Sequence, residues 1–292
     1  GPLRPMAARR GAASGRRAAV SERRLRRPAR SARLPDAAPR RAAIGYAVVI
    51  VSQGGLVFAL GVLALGVLAM HELYTMTERV RPAKLAGFLA LAGLLLAALY
   101  GDQYQVLLVL SASVPVVFVL TMMRPQREHA SWAMAATMLG IVWIGVALAH
   151  AVLLRELPHG GGLVLDVLIG TFIGDTAAYF GGRTYGRTPL APRISPNKTL
   201  EGLVAGVIGG TFAFWLFAVS YQDWFSGTDA LIVGICVAVA APIGDLFESA
   251  IKRDLGVKDT GGFFGAHGGV LDRLDAVLFT AVTAYYVSVA VL

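Results

Sequence analysis

The chain has 292 residues, 56% of them hydrophobic and only 15% charged, with a net charge of +9 and a mean hydropathy of +0.63. Soluble globular domains carry about 25% charged residues, so this composition excludes an ordinary water-soluble protein and indicates a polytopic membrane protein. The single cysteine, Cys236, lies in an apolar run, which excludes an intrachain disulfide and reads as a small buried hydrophobe.

The positive charge belongs to one end. Residues 1–43 hold 13 arginines against Glu22 and Asp36, a net of +11, which leaves 14 basic and 16 acidic residues in the remainder. That tail is rich in Arg, Ala, Ser and Pro and lacks apolar periodicity, so it is expected to be disordered. It reads first as a cytosolic extension held near anionic headgroups; a nucleic-acid arm or a transit peptide are the other readings. No secretory apolar region with a cleavage site follows it, so the first apolar run is expected to stay in the protein.

Apolar segments then fall at about 44–70, 84–100, 105–123, 131–154, 163–181, 202–220, 228–250 and 276–292. Each is near the ~20 residues that a spanning helix needs. The first is too long for one crossing and is interrupted by Ser52-Gln53-Gly54-Gly55. Lys and Arg number three in loop 71–84, none in 101–104, two in 124–130, one in 155–162, four in 182–199, none in 221–227 and four in 251–275. Rich and poor loops alternate, and the rich ones belong in the cytoplasm. Tail and loop 71–84 share that side only if the first run crosses twice or dips in and returns. The expectation is an all-α polytopic bundle of about nine transmembrane helices, with a hairpin at Gly54-Gly55 or a re-entrant pair there. It divides into the tail 1–43, N-terminal membrane helices 44–160, and a catalytic membrane region 161–292 with cytoplasmic loops 182–199 and 251–275.

Ionisable residues inside membrane segments cost roughly 2.5–3.5 kcal/mol each at the helix centre and mark function. Here they cluster. Asp245, Glu248 and Lys252 fall within roughly a 60° arc of one helix face. Asp166 and Asp175 are nine residues apart and point to opposite sides of theirs. Asp175 lies nearer the cytoplasmic end and is the functional candidate. Asp166 reads as a solvated interfacial residue.

The loop after Asp175 carries Arg183, Arg187, Arg193 and Lys198 among several glycines, then Ser195-Pro196-Asn197-Lys198-Thr199 leading into a helix. A Ser/Thr turn at a helix N-terminus with a lysine beside it suits phosphate. A plain positive-inside loop with a helix cap is an equal reading. The stretch Ser249–Asp275 is sharper: its 27 residues hold four basic side chains, four aspartates, one histidine and six glycines between two apolar segments. Asp254, Asp259, Asp272 and Asp275 are hard oxygen ligands suited to Mg²⁺. Lys252, Arg253, Lys258 and Arg273 suit phosphate oxygens. Asp272 and Asp275, spaced i,i+3, can face one site, although Asp275 also fits an ordinary helix cap. His267 reads either as a general base or as a structural hydrogen-bonder. Carboxylates and cations around a glycine loop are what phosphoryl or nucleotidyl transfer requires. Zinc spacing, a Gly-x-Ser-x-Gly elbow and a Walker-type loop are absent.

These residues resemble the signature of the phosphatidate cytidylyltransferase (CDP-diacylglycerol synthase) family. The likeness runs through Ser249-x-Ile251-Lys252-Arg253, Lys258-Asp259 and His267-Gly268-Gly269-x-x-Asp272-Arg273-x-Asp275. Upstream it includes Gly244-Asp245-Leu246-x-Glu248-Ser249, Ile194-Ser195-Pro196-x-Lys198-Thr199-x-Glu201-Gly202 and Gly174-Asp175-x-x-Ala178-Tyr179, and it covers about residues 163 to 292. The chain departs from the family at Gly265-Ala266, where Pro-Gly is common, and at Leu200, where an aromatic is common.

The resemblance implies an enzyme that transfers CMP from CTP to phosphatidic acid, giving CDP-diacylglycerol and pyrophosphate in phospholipid biosynthesis. It implies an all-helical bundle whose active site opens to the cytoplasm, in a bacterial inner membrane. It implies Mg²⁺ in a two-metal centre, with a monovalent ion as one option for the second position, on Asp245, Asp272 and Asp175. Asp245, Asp272, Lys252, Asp259 and His267 are then the catalytic candidates. Arg183, Ser195, Lys198, Thr199, Lys252, Arg253, Lys258 and Arg273 are the substrate-binding ones. The implied partners are CTP, phosphatidic acid and membrane lipids, with no nucleic acid and with a homodimer as an option. Two alternatives stand beside this reading. One is a cation- or proton-coupled transporter using Asp175, Asp245 and Glu248 as a relay. The other is a related kinase or cytidylyltransferase acting on a polyprenol or another lipid phosphate.

Overall fold

The computed structural model describes residues 38–124, 129–261 and 268–292. Most of the unit formed by Gly1–Ala42, including the Arg-rich tail through residue 37, lies outside them, and so does His267. The second unit, Ala43–Leu292, contains the membrane body.

Nine helical rods follow one another among the described residues: α1 (Ala38–Gln53), α2 (Gly55–Met76), α3 (Lys84–Tyr100), α4 (Gln103–Met122), α5 (Ala130–Glu156), α6 (Gly160–Tyr185), α7 (Leu200–Tyr221), α8 (Gly227–Asp254) and α9 (Leu271–Val291). Seven of these are long and apolar enough to cross a membrane; α3 is apolar but has only 17 residues. At 1.5 Å per residue α1 spans about 24 Å, short of a hydrocarbon core of about 30 Å. The chain reverses at Gly54 and Gly55, both at positive φ (66° and 47°), a backbone that glycine adopts without steric cost. Past the reversal, the Tyr46 hydroxyl donates to the Gly61 carbonyl at 2.8 Å. Arg155 Nε donates to the Val51 carbonyl at 2.9 Å and so satisfies an end of α1.

The N-terminal half packs as α2, α3 and α5 around fully buried Met70, Leu73, Leu91, Leu94, Ile141 and Ile144. Tyr74 is buried there, with its hydroxyl on the Thr137 carbonyl at 3.0 Å. Just beyond Thr137, α5 widens into a π segment at Gly140–Val146. Helix α4 lies at the periphery, with Leu107, Leu108, Val114 and Phe118 half or more exposed. An apolar face turned outward is what lipid contact allows.

In the C-terminal half α6 and α7 make the closest pair. A Cβ at Gly206 would sit 3.1 Å from the Gly174 carbonyl oxygen and 2.9 Å from Ala178 Cβ; one at Gly210 would sit 2.9 Å from the Gly170 carbonyl oxygen. The spacing Gly202-x₃-Gly206-x₃-Gly210 facing Gly170-x₃-Gly174 lets two backbones touch, a packing mode on which membrane helices rely because lipid offers them no hydrophobic driving force. Helix α8 carries Pro242 inside it and lies against α6, α7 and α9.

Among the described residues, the one departure from an all-helical plan is a short antiparallel hairpin between α6 and α7, β1 (Pro189–Ala191) with β2 (Ser195–Thr199). Pro189, Pro192 and Pro196 deny this stretch a helix. The Glu201 carboxylate holds its base by accepting from the Arg187 and Thr188 backbone N–H groups at 3.1 and 3.2 Å and from the Thr188 hydroxyl at 2.9 Å.

Candidate active site

Four helices deliver charge to one end of the bundle. Measured from Gly227, Asp245 lies about 27 Å along α8 and Glu248 about 31 Å, so both reach the edge of a hydrocarbon core of about 30 Å. The C-terminal ends of α6 and α8 meet the N-terminal ends of α7 and α9 there. Helices α8 and α9 touch because residue 244 is glycine: a Cβ at that position would lie 2.5 Å from the Asp275 carbonyl oxygen. That close pass sets Asp245 beside Asp275.

Asp245, Glu248 and Asp275 each bring one carboxylate oxygen within 4.8 Å of the others. Lys198, arriving from β2, forms an ion pair with Asp245 Oδ2. Lys252 Nζ lies 2.6 Å from Glu248 Oε2 and 2.8 Å from Asp272 Oδ1. Glu248 is 1% exposed, and its second oxygen, Oε1, is buried without a hydrogen-bond partner. Asp275 Oδ1 accepts from the Ala276 backbone N–H at 2.7 Å. Three carboxylates against two lysines leave the cluster net negative, and a bare buried carboxylate oxygen is costly unless something binds it. An all-oxygen, hard donor set of this kind fits a divalent cation such as Mg²⁺.

Asp272 takes a different place from the one its spacing indicates. Its Oδ2 accepts from the Thr260 N–H (3.0 Å), the Thr260 hydroxyl (2.9 Å) and the Gly269 N–H (2.7 Å), while Oδ1 receives Lys252. It ties the 260 and 269 stretches together and, among the described residues, its hydrogen-bonded link to the carboxylate cluster is that lysine.

Beside the cluster a cavity of about 490 Å³ is lined by Asp175, Tyr179, Arg183, Lys198, Thr199 and Asp245, with Leu190, Leu203 and Pro242 among its apolar walls. Arg183 Nη1 donates to the Tyr179 hydroxyl at 2.9 Å. The Thr199 hydroxyl accepts from the Gly202 N–H at 3.2 Å and caps α7. Arg253 Nε donates to the Ile194 carbonyl at 3.2 Å, which fastens the end of α8 to the hairpin.

The structure therefore gathers Asp175, Lys198 and Asp245 at one cavity and Lys252 with Asp272 at its flank. Ser195 begins β2, partly buried; Lys258, Asp259 and Arg273 are exposed around the same end. His267 falls outside the described residues. Glu248 and Asp275 complete the carboxylate group; the sequence places Glu248 on one helix face with Asp245 and counts Asp275 among the hard oxygen ligands, but neither is in the metal set that the resemblance implies. Glu72, on α2, joins these residues without any signal in the sequence pattern. It is 8% exposed, accepts from the Val270 and Leu271 N–H groups (2.9 Å each) and lies 3.1 Å from the Thr260 hydroxyl, whose single proton it shares with Asp272. Asp166 corrects an expectation: it is fully buried rather than solvated, with Gln222 Nε2 donating to its Oδ2 at 2.7 Å. Sequence gives depth along a helix, but only packing reveals that Gln222, 56 residues on, covers that side.

Residues 41–291 match the model of the cytidylyltransferase family. A phosphatidate cytidylyltransferase of Thermotoga maritima is 33% identical over 231 residues, covering 77% of this chain and 84% of that protein. Proteins of the same name from Mycobacterium leprae and Aquifex aeolicus are 38% and 40% identical over 151 and 130 residues, where the match covers about half of each relative (48% and 47%). The chain belongs to the cytidylyltransferase family.

Proposed function

We propose that this protein transfers CMP from CTP to phosphatidic acid, with release of pyrophosphate and formation of CDP-diacylglycerol. The observation that carries this reading is the convergence of Asp245, Glu248 and Asp275, flanked by Lys198 and Lys252, at the end of the bundle where the cation-rich loops gather. Family membership and the relatives named phosphatidate cytidylyltransferase support it.

Asp245, Glu248 and Asp275 would hold Mg²⁺, with Asp175 across the cavity as a further ligand. When bound, the metal offsets phosphate charge and makes the α-phosphorus more electrophilic. The chain's own groups do the positioning. Lys198 and Arg183 face the cavity as phosphate partners, and Lys252 is held ready between Glu248 and Asp272. The phosphate of phosphatidic acid is already ionised at neutral pH, so no strong base is needed. Its oxygen forms a bond to the α-phosphorus of CTP, the α–β bridging P–O bond breaks, and the electron pair leaves with pyrophosphate. Bringing two polyanions together is the difficulty, and fixed cations around a carboxylate-held divalent ion answer it.

The two ends of the bundle differ in Lys and Arg content, which favours an inner-membrane protein with this site on the cytoplasmic face. The short α1 and the turn at Gly54 favour a re-entrant pair or a thin ninth crossing. Radiolabelled CTP offered with phosphatidic acid, with and without chelator, tests the reading. Label should enter lipid with stoichiometric pyrophosphate release, only with Mg²⁺ present. Absence of substrate-dependent pyrophosphate would favour the transporter alternative. Preference for another lipid phosphate would redirect the acceptor. Asp272→Asn should abolish transfer at matched membrane levels.

A further inference from the structure

Helix α9 begins without a side-chain cap from its N-cap residue, Val270, yet its first N–H groups are buried donors that need acceptors. Glu72 supplies them from α2, 198 residues upstream: Oε1 takes the Val270 N–H and Oε2 the Leu271 N–H, both at 2.9 Å. A carboxylate at a helix N-terminus also meets the positive end of the helix dipole.

The same carboxylate reaches further. Oε2 lies 3.1 Å from the Thr260 hydroxyl, and that hydroxyl lies 2.9 Å from Asp272 Oδ2. Asp272 Oδ1 receives Lys252, and Lys252 receives Glu248. The contacts form a continuous chain from Glu72 through Thr260, Asp272 and Lys252 to the carboxylate cluster. Residues 261 and 269 are glycines for the same reason. A Cβ at Gly261 would lie 2.5 Å from Glu72 Oε1, and one at Gly269 would collide with Glu72 Oε2.

We infer that Glu72 is a positioning residue for CMP transfer: it fixes the start of α9 and, through Thr260, sets the orientation of Asp272 and hence of Lys252. This rests on the transferase reading above. A membrane helix spends a buried acid on this contact, and among the described residues none of its partners is a cation. The acid is satisfied entirely by the stretches that frame the site.

The test uses the full chain purified in detergent, with turnover measured per folded, monodisperse molecule. The variants are Glu72→Gln, Thr260→Val and the double substitution, with Thr260→Ser as the conservative control. Glu72→Gln keeps the shape but turns an amide donor toward backbone N–H groups. It should lower kcat by about tenfold or more, as supporting-residue changes at such sites do, with KM for CTP nearly unchanged. Thr260→Val should do the same, and Thr260→Ser should restore the rate. Because both residues act through one link, the double variant should be no slower than the worse single. Independent, multiplying losses would overturn the route through Thr260. An unchanged kcat per folded molecule in Glu72→Gln, with only folded yield reduced, would reduce Glu72 to a structural prop. If the parent chain itself transfers no CMP, it is the transferase reading that fails; Glu72 is judged only against an active parent.

Discussion

Asp275→Asn separates charge from shape at the centre of the site. The three carboxylates lie within 4.8 Å of one another, and two unit charges at that distance repel by about 3.5 kcal/mol at an effective dielectric constant of 20. Lys198 offsets Asp245 and Lys252 offsets Glu248, while Asp275 has the Ala276 N–H but, among the described residues, no ion pair with a lysine. The amide removes two repulsions. Screening at the partly exposed Asp245 reduces the gain, so the metal-free variant should be more stable than the parent by about 1–3 kcal/mol. At the same time the proposed Mg²⁺ loses a charged ligand. If its affinity falls tenfold, stabilisation at a concentration near 100 times the parent's Kd drops from about 2.7 to about 1.4 kcal/mol. Thermal unfolding followed by tryptophan fluorescence, in chelator and across a Mg²⁺ titration, reads both effects, and CMP incorporation accompanies it. A chelated variant no more stable than the parent, or one whose Mg²⁺ midpoint does not move, would refute the reasoning.

Lys252→Met should be severe, because it leaves Glu248 and Asp272 facing each other over a lost ammonium; breaking such a pair costs about 3–5 kcal/mol, and the yield of folded protein in size exclusion should fall where Lys252→Arg retains it. Gly206→Val should force α6 and α7 apart, since even its Cβ would sit 2.9 Å from Ala178 Cβ; a loss of about 1–3 kcal/mol, or more, should appear as a lower thermal midpoint. Asp166→Ala should cost about 1–3 kcal/mol by stranding the Gln222 amide, yet leave kcat unchanged below the transition. Asp166 lies nine residues, about 13.5 Å along α6, from Asp175, so a tenfold drop in kcat would contradict that separation.

Much of the architecture was readable because lipid makes simple demands. Spans come from apolar length, and the break at Gly54-Gly55 was legible because two adjacent glycines interrupt a run too long for one crossing. The arc of Asp245, Glu248 and Lys252 followed from helical geometry alone, and the structure pairs Glu248 with Lys252. What sequence could not supply was lateral: which helix faces which. Asp272 and Asp275 share a helix face by spacing, but they part company because Gly269 and Thr260 capture one while the close pass at Gly244 delivers the other to Asp245. Glu72 was hidden because a single acid at the end of an apolar run looks like the start of a loop, and its partners lie nearly 200 residues away. The glycine ladder on α6 and α7 is visible in the sequence as a four-residue spacing, but only packing shows that the two rows face each other.

The contact between Glu72 and the start of α9 also sets a timetable. Leu271 is translated 199 positions after Glu72, which at about 5–20 residues per second is roughly 10–40 s later. For nearly all of that interval an acid at the end of an inserted helix lacks the partners it will have in the folded chain. A ribosome stalled upstream of Val270 therefore leaves in the bilayer a chain that lacks Asp275, one of the three clustered carboxylates, and the backbone that Glu72 holds.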